Sequence, residues 1–151
     1  MGTRLATWLS FLCILGVLAG LFGFSLRAAE KPSADYVEAM RTLATVATEL
    51  PKSLASDDVK AMDELVIKVR PAIGVVRNYW ADRKVEDALQ SIEAAAKAIA
   101  EISVAVHLMG TSQSPLAKEG AQESITNFLA SCATCHHAHR ESLPDGTYAI
   151  K

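Results

Sequence analysis

From Ser33 to about Glu141 the chain repeats one pattern four times. Apolar residues return every three or four positions, and a capping residue or a proline then interrupts the run. The first stretch runs from Ser33, an N-cap with Asp35 behind it, to Leu50, through Tyr36/Val37, Met40, Leu43/Ala44 and Ala47. Pro51 is its expected stop. The second starts near Ser56, with Asp57 and Asp58 in its first turn. It carries Val59, Met62, Leu65/Val66, Val69, Ile73, Val76 and Tyr79/Trp80. Pro71 and Gly74 fall inside this period, which continues in phase past them and so predicts a kinked helix. The third, from Asp82 or Arg83 to Met109, carries Val85, Leu89, Ile92, Ala96, Ile99, Ile102 and Val106. Its Ala94-Ala95-Ala96 run suits close helix contact. Gly110 to Ser114 reads as a loop. Pro115 takes the first position of a fourth helix that reaches about Glu141, and Pro144-Asp145-Gly146 turns into a short tail.

Four such helices with short connections predict an all-α fold, an antiparallel up-down-up-down four-helix bundle over residues 30–151. The 151 residues suffice for one domain of this kind. Strand signals are scarce. From Glu30 onward there are 13 Lys and Arg against 17 Asp and Glu, a net charge of −4 with His neutral. With no basic run and no interleaved aromatics, a nucleic-acid partner is not expected. The acidic residues read as solvated faces. No carboxylate pair is placed for acid–base work, so the chain is not expected to be an enzyme.

Residues 1–29 read as an address. Arg4 precedes a stretch from Leu5 to Leu26 that has no charge over 22 positions. Gly23 and Ser25 suit a signal-peptide cut after Ser25, and Ala28 and Ala29 offer a second site. The same stretch spans roughly 33 Å as a helix, enough to anchor the chain in a bilayer. Signal or anchor, it implies export, to the periplasm if the cell is bacterial.

Cys13 lies in that segment, which leaves Cys132 and Cys135 for the folded part. A lone pair is no disulfide framework. Cys132-Ala133-Thr134-Cys135-His136 is a C-x-x-C-H, the attachment signature of c-type haem. Two thiols one helical turn apart can each bond a vinyl group of one haem, and the next imidazole then lies under the iron as an axial ligand. One covalently attached haem c per chain is therefore expected. Two alternatives use the same residues. A redox dithiol wants its motif at a helix N-terminus, where the dipole lowers the thiol pKa. Zinc wants four ligands, and Cys132, Cys135, His136 and His139 would crowd one helix to supply them.

A haem motif on the last helix of such a bundle resembles the class II c-type cytochromes, the cytochrome c′ family. There C-x-x-C-H is usually followed by an aromatic residue and an Arg. Arg140 matches, four residues after His136, and His139 stands where the aromatic residue usually is. The first helix is also similar to that of the soluble b-type four-helix cytochrome, in which an early Met is the second axial ligand. The resemblance puts Met40 of Ala34-Asp35-Tyr36-Val37-Glu38-Ala39-Met40 in that role.

Bundle topology bears on the same point. With the start of the first helix called the bottom, the fourth helix finishes at the bottom and His136 lies roughly 8–10 Å up. Met40 lies roughly 10 Å up, level with it. His107 is roughly 36 Å from the bottom and Met62 is near the top, so neither reaches the same iron. Ile73, Val76, Tyr79, Trp80, Val85, Leu89, Tyr36, Val37 and Leu43 would wall the haem. Arg77, Arg83, Lys84 and Arg140 are candidates to pair with its propionates. His107, His137 and His139 read as exposed polar residues.

The expected function is single-electron transfer by an exported monohaem c-type cytochrome. Cys132 and Cys135 would hold the haem, with His136 and Met40 as axial ligands and another redox protein as partner. If Met40 is off the iron, the site is open as in cytochrome c′ itself, and NO or CO can bind. A haem-free thiol or zinc protein is the second alternative. Family members often dimerise through their first two helices, although the exposed face of the first helix here is not apolar enough to argue a homodimer.

Overall fold

A computed structural model describes residues 31–112 and 114–151. The signal or anchor segment lies outside them. The described chain forms four long helices and a terminal hairpin. Helix α1 spans Ala34–Ala55, and its N-cap Ser33 accepts the Tyr36 N–H at 3.3 Å, with Asp35 in the first turn. Pro51 does not stop it. The helix runs on for another turn, because Leu50 and Leu54 are both buried in the core and hold that turn down. Ser56, expected to open the second helix, instead closes the first, its N–H donating to the Lys52 and Leu54 carbonyls. Asp57 then takes a left-handed φ of 54°, and the Asp58 N–H returns to the Ser53 carbonyl at 2.9 Å.

Asp58 is the N-cap of α2, Val59–Arg83, accepting the Ala61 N–H at 2.9 Å. The helix continues unbroken through Pro71, as the in-phase apolar period predicts. The carbonyl that Pro71 deprives of a donor belongs to Ile67, which is 62 % exposed, so water can serve it. Lys84 ends the helix with a φ of 55°. Helix α3, Glu86–Ser112, starts later and ends later than expected, with Glu86 and Asp87 in its first turn. Helix α4 is Pro115–His139, with Pro115 in its first turn as expected.

Past His139 the structure departs from the all-helical expectation. Arg140–Ser142 (β1) and Tyr148–Ile150 (β2) pair antiparallel, Arg140 opposite Ile150. Between them Asp145 Oδ1 accepts the Thr147 N–H at 2.9 Å, and Gly146 supplies the φ of 79° that the turn needs. Ala149 is buried and Ile150 packs on the core, so the hairpin is fastened to one end of the bundle.

The helices form a ring, each touching the next and α4 returning to α1. The α3–α4 contact is the most extensive. Ala88, Ala95, Ala98 and Ala105 are buried on α3 and Ala117 and Ala121 on α4, and such small side chains let two helices lie close. Phe128, Leu50, Met62, Ile99, Ile102 and Ile125 are the largest fully buried side chains, each worth about 1.5–3 kcal/mol of apolar transfer. The start of α1, the end of α2, the start of α3 and the end of α4 meet at one end, where Tyr36, Tyr79, Trp80, His139 and Asp87 are linked in a chain of pairwise contacts. This is the end at which Met40 and His136 were expected to lie level.

Candidate functional site

Cys132 and Cys135 lie one turn apart on α4, and both half-buried side chains pack on the apolar core. Ala133 and Thr134, between them, are exposed. The helical period alone produces this. Positions 132 and 135 continue the buried stripe of Ala121, Ile125 and Phe128. Burial pushes the Cys132 thiol up to about 11, with the charge of Cys135 adding to it. Burial also raises Cys135, with Asp87 second. Both thiols are thus protonated near neutral pH, the opposite of an activated dithiol.

His136 is half-buried. Burial lowers its pKa below that of a free imidazole, and the Arg140 guanidinium lowers it further, so the ring is neutral at pH 7 and its lone pair is free for a metal. Met40 is half-buried on α1 and packs on the same core. Tyr36 lies one turn before it on the same helix, buried. Burial raises the Tyr36 hydroxyl far above its ordinary range, and the next largest influence is the charge of Cys135. The Tyr36 face of α1 therefore looks toward the Cys135 face of α4.

Three rings continue from Tyr36 into the bundle end. Tyr36 and Tyr79 have centroids 4.2 Å apart, Tyr79 and Trp80 5.2 Å, and Trp80 and His139 4.8 Å. His139 corrects an expectation. It is not an exposed polar residue; its side chain is 14 % accessible, it lies against Trp80, and its Nε2 is 3.0 Å from Asp87 Oδ2. The imidazole packs as one more ring against Trp80. Spacing could have revealed this, because His139 follows Cys132 and Cys135 on the same helical face. His137 and His107 are exposed as expected. Met62 is fully buried, near the start of α2 and so at the other end of the bundle.

The four cationic candidates are sorted by their partners. Arg77 binds Glu93 in an exposed ion pair. Arg83 sits 3.5 Å over the Tyr79 ring and donates to the Tyr79 carbonyl at 3.1 Å. Arg140 sits 3.3 Å over the Tyr148 ring in the hairpin. Lys84 is exposed.

The residues fit a covalently held haem. Two thiols and a thioether border one apolar core, a half-buried neutral imidazole follows the second thiol, and the buried Trp80 Nε1–H of that core completes no hydrogen bond. They fit zinc poorly. Among the described residues no three His, Cys, Asp or Glu side chains converge on one point. A long open groove follows the outer faces of α3 and α4 from Asp87 and Thr134 to Leu108 and Leu116, and it includes none of Met40, Cys132, Cys135 and His136. No helix among the described residues is long and apolar enough to cross a membrane. No protein-family model, no curated protein and no solved structure matches this chain.

Proposed function

We propose that the chain is a monohaem c-type cytochrome of the class II kind, carrying single electrons. The observation that carries this reading is the pairing of Cys132 and Cys135 on the core face of the last helix, one turn apart, followed by a neutral, half-buried His136. In this reading Cys132 and Cys135 would hold the cofactor covalently and His136 would ligate its iron. Met40, half-buried on α1, would be the second ligand. When bound, the haem supplies a one-electron couple. The chain does the rest. The apolar core around Cys132, Cys135 and Met40 would keep water off the cofactor, a Met40 thioether would favour its reduced state, and the packed helices would restrain both ligands. The partner is another redox protein. The charge-free segment near the N-terminus, outside the described residues, supports export to the periplasm, with or without anchoring.

Two measurements test this. After expression with a haem-attachment system, a denaturing gel stained for haem should show the chain retaining it. The reduced-minus-oxidised spectrum should be low-spin and insensitive to CO. A stain-negative band rules out the cytochrome. A high-spin spectrum that CO alters moves the assignment to an open, gas-binding site.

A further inference from the structure

We propose that Trp80 is part of the cofactor site, its indole N–H donating a hydrogen bond to a propionate carboxylate of the haem. The inference rests on the cytochrome reading above. It starts from an anomaly at the bundle end. Trp80 is 2 % exposed, and its Nε1 completes no hydrogen bond. A buried N–H in that condition forfeits its hydration without recompense, and native proteins rarely leave one so. The indole N–H leans toward the Tyr36 hydroxyl but falls outside hydrogen-bond geometry.

Its surroundings identify the missing acceptor. Tyr36 on one side of Trp80 neighbours Cys135, and His139 on the other side follows His136 by three residues on α4. The N–H therefore lies at the level of the attachment motif. An indole donates only, so its partner must accept, and a carboxylate gives a charge-assisted bond. The cationic side chains nearby have other engagements, Arg77 with Glu93, Arg83 over Tyr79 and Arg140 over Tyr148. Haem carries two carboxylates, and a haem attached at Cys132 and Cys135 would bring such an acceptor to this level of the bundle.

The test uses the full chain with Trp8→Phe. The sequence has two tryptophans, so this leaves Trp80 alone to be read. In haem-loaded protein, the ultraviolet resonance Raman band that senses the indole N–H should lie where a donor to carboxylate puts it. A band at the position of an indole without an acceptor, in protein that has kept its haem, overturns the inference and leaves the cytochrome reading standing. Protein that holds no haem overturns both. Trp80→Phe supplies an independent readout. Without the donor, a propionate's negative charge acts more fully on the iron and favours the oxidised state, so the reduction potential should fall. An unchanged potential in haem-loaded Trp80→Phe counts against the hydrogen bond.

Discussion

His139 Nε2 lies 3.0 Å from Asp87 Oδ2, tying the last turn of α4 to the first turn of α3 while the imidazole rests on Trp80. The two contacts are unequal. Asp87 is 67 % exposed, and a pair open to water contributes about 0–1 kcal/mol. The ring-on-ring contact is enclosed and worth about 1 kcal/mol beyond its burial. His139→Ala should therefore lower stability by about 1–2 kcal/mol, whereas His139→Phe and Asp87→Asn should cost little. Thermal denaturation of the three variants separates stacking from charge. A large loss in Asp87→Asn would reverse that ranking.

Met40 offers a test of coordination that does not depend on global stability. It is half-buried, so truncation removes part of a core side chain and leaves a modest cavity. In haem-loaded protein, Met40→Ala should convert a low-spin spectrum to a high-spin one and permit CO to bind the reduced form. If Met40 is only a core residue, the spectrum will stay as it was and only the melting temperature will drop.

The thiols dictate how haem-free protein responds to alkali. Cys132 is held at about 11 against an ordinary 9.0, because burial disfavours its thiolate. The unfolded chain ionises near 9 and the folded chain only near 11. Above pH 9 the unfolded state thus gains by releasing a proton that the folded state retains, so the stability present below pH 9 declines as pH climbs toward 11. Urea titrations of the haem-free chain should show this decline, and Cys132→Ala should reduce it. Alkylation of folded Cys132 near pH 8 should run about a hundredfold slower than that of an exposed thiol, from the thiolate fraction alone.

The four helices were legible because each carries a stripe long enough to establish a 3.6-residue period. Ser33 and Pro115 marked two starts correctly, since caps act through neighbours in sequence. Pro51 misled because a proline stops a helix only if nothing beyond it is held, and Leu54 is held by residues distant in sequence. The hairpin escaped notice because strands of three residues display no period, and its pairing depends on Ala149 and Ile150 reaching the core. Within the site, the face shared by Cys132 and Cys135 followed from spacing. The contacts of His139 with Trp80 and Asp87 did not, because they join three helices that only tertiary packing brings together.

Pro71 tests whether α2 needs its proline. The helix is continuous from Val59 to Arg83, with Val69, Ala72, Ile73 and Val76 buried around the proline, which is itself exposed. A proline inside a helix costs up to about 3 kcal/mol relative to alanine, through a missing N–H and a ring that crowds the preceding turn. Here the cost is moderated, because the exposed Ile67 leaves its carbonyl within reach of water. The proline also restricts the unfolded chain, which offsets about 1 kcal/mol. Pro71→Ala should restore the hydrogen bond to Ile67 and raise stability by about 1–2 kcal/mol, measured by urea or thermal denaturation. A loss of stability would instead mean that the proline gives α2 a curvature that the packing of Val69, Ile73 and Val76 requires. In that case the same variant should also weaken haem retention, because those side chains lead directly to Tyr79 and Trp80 at the end of the bundle where the cofactor is proposed to sit.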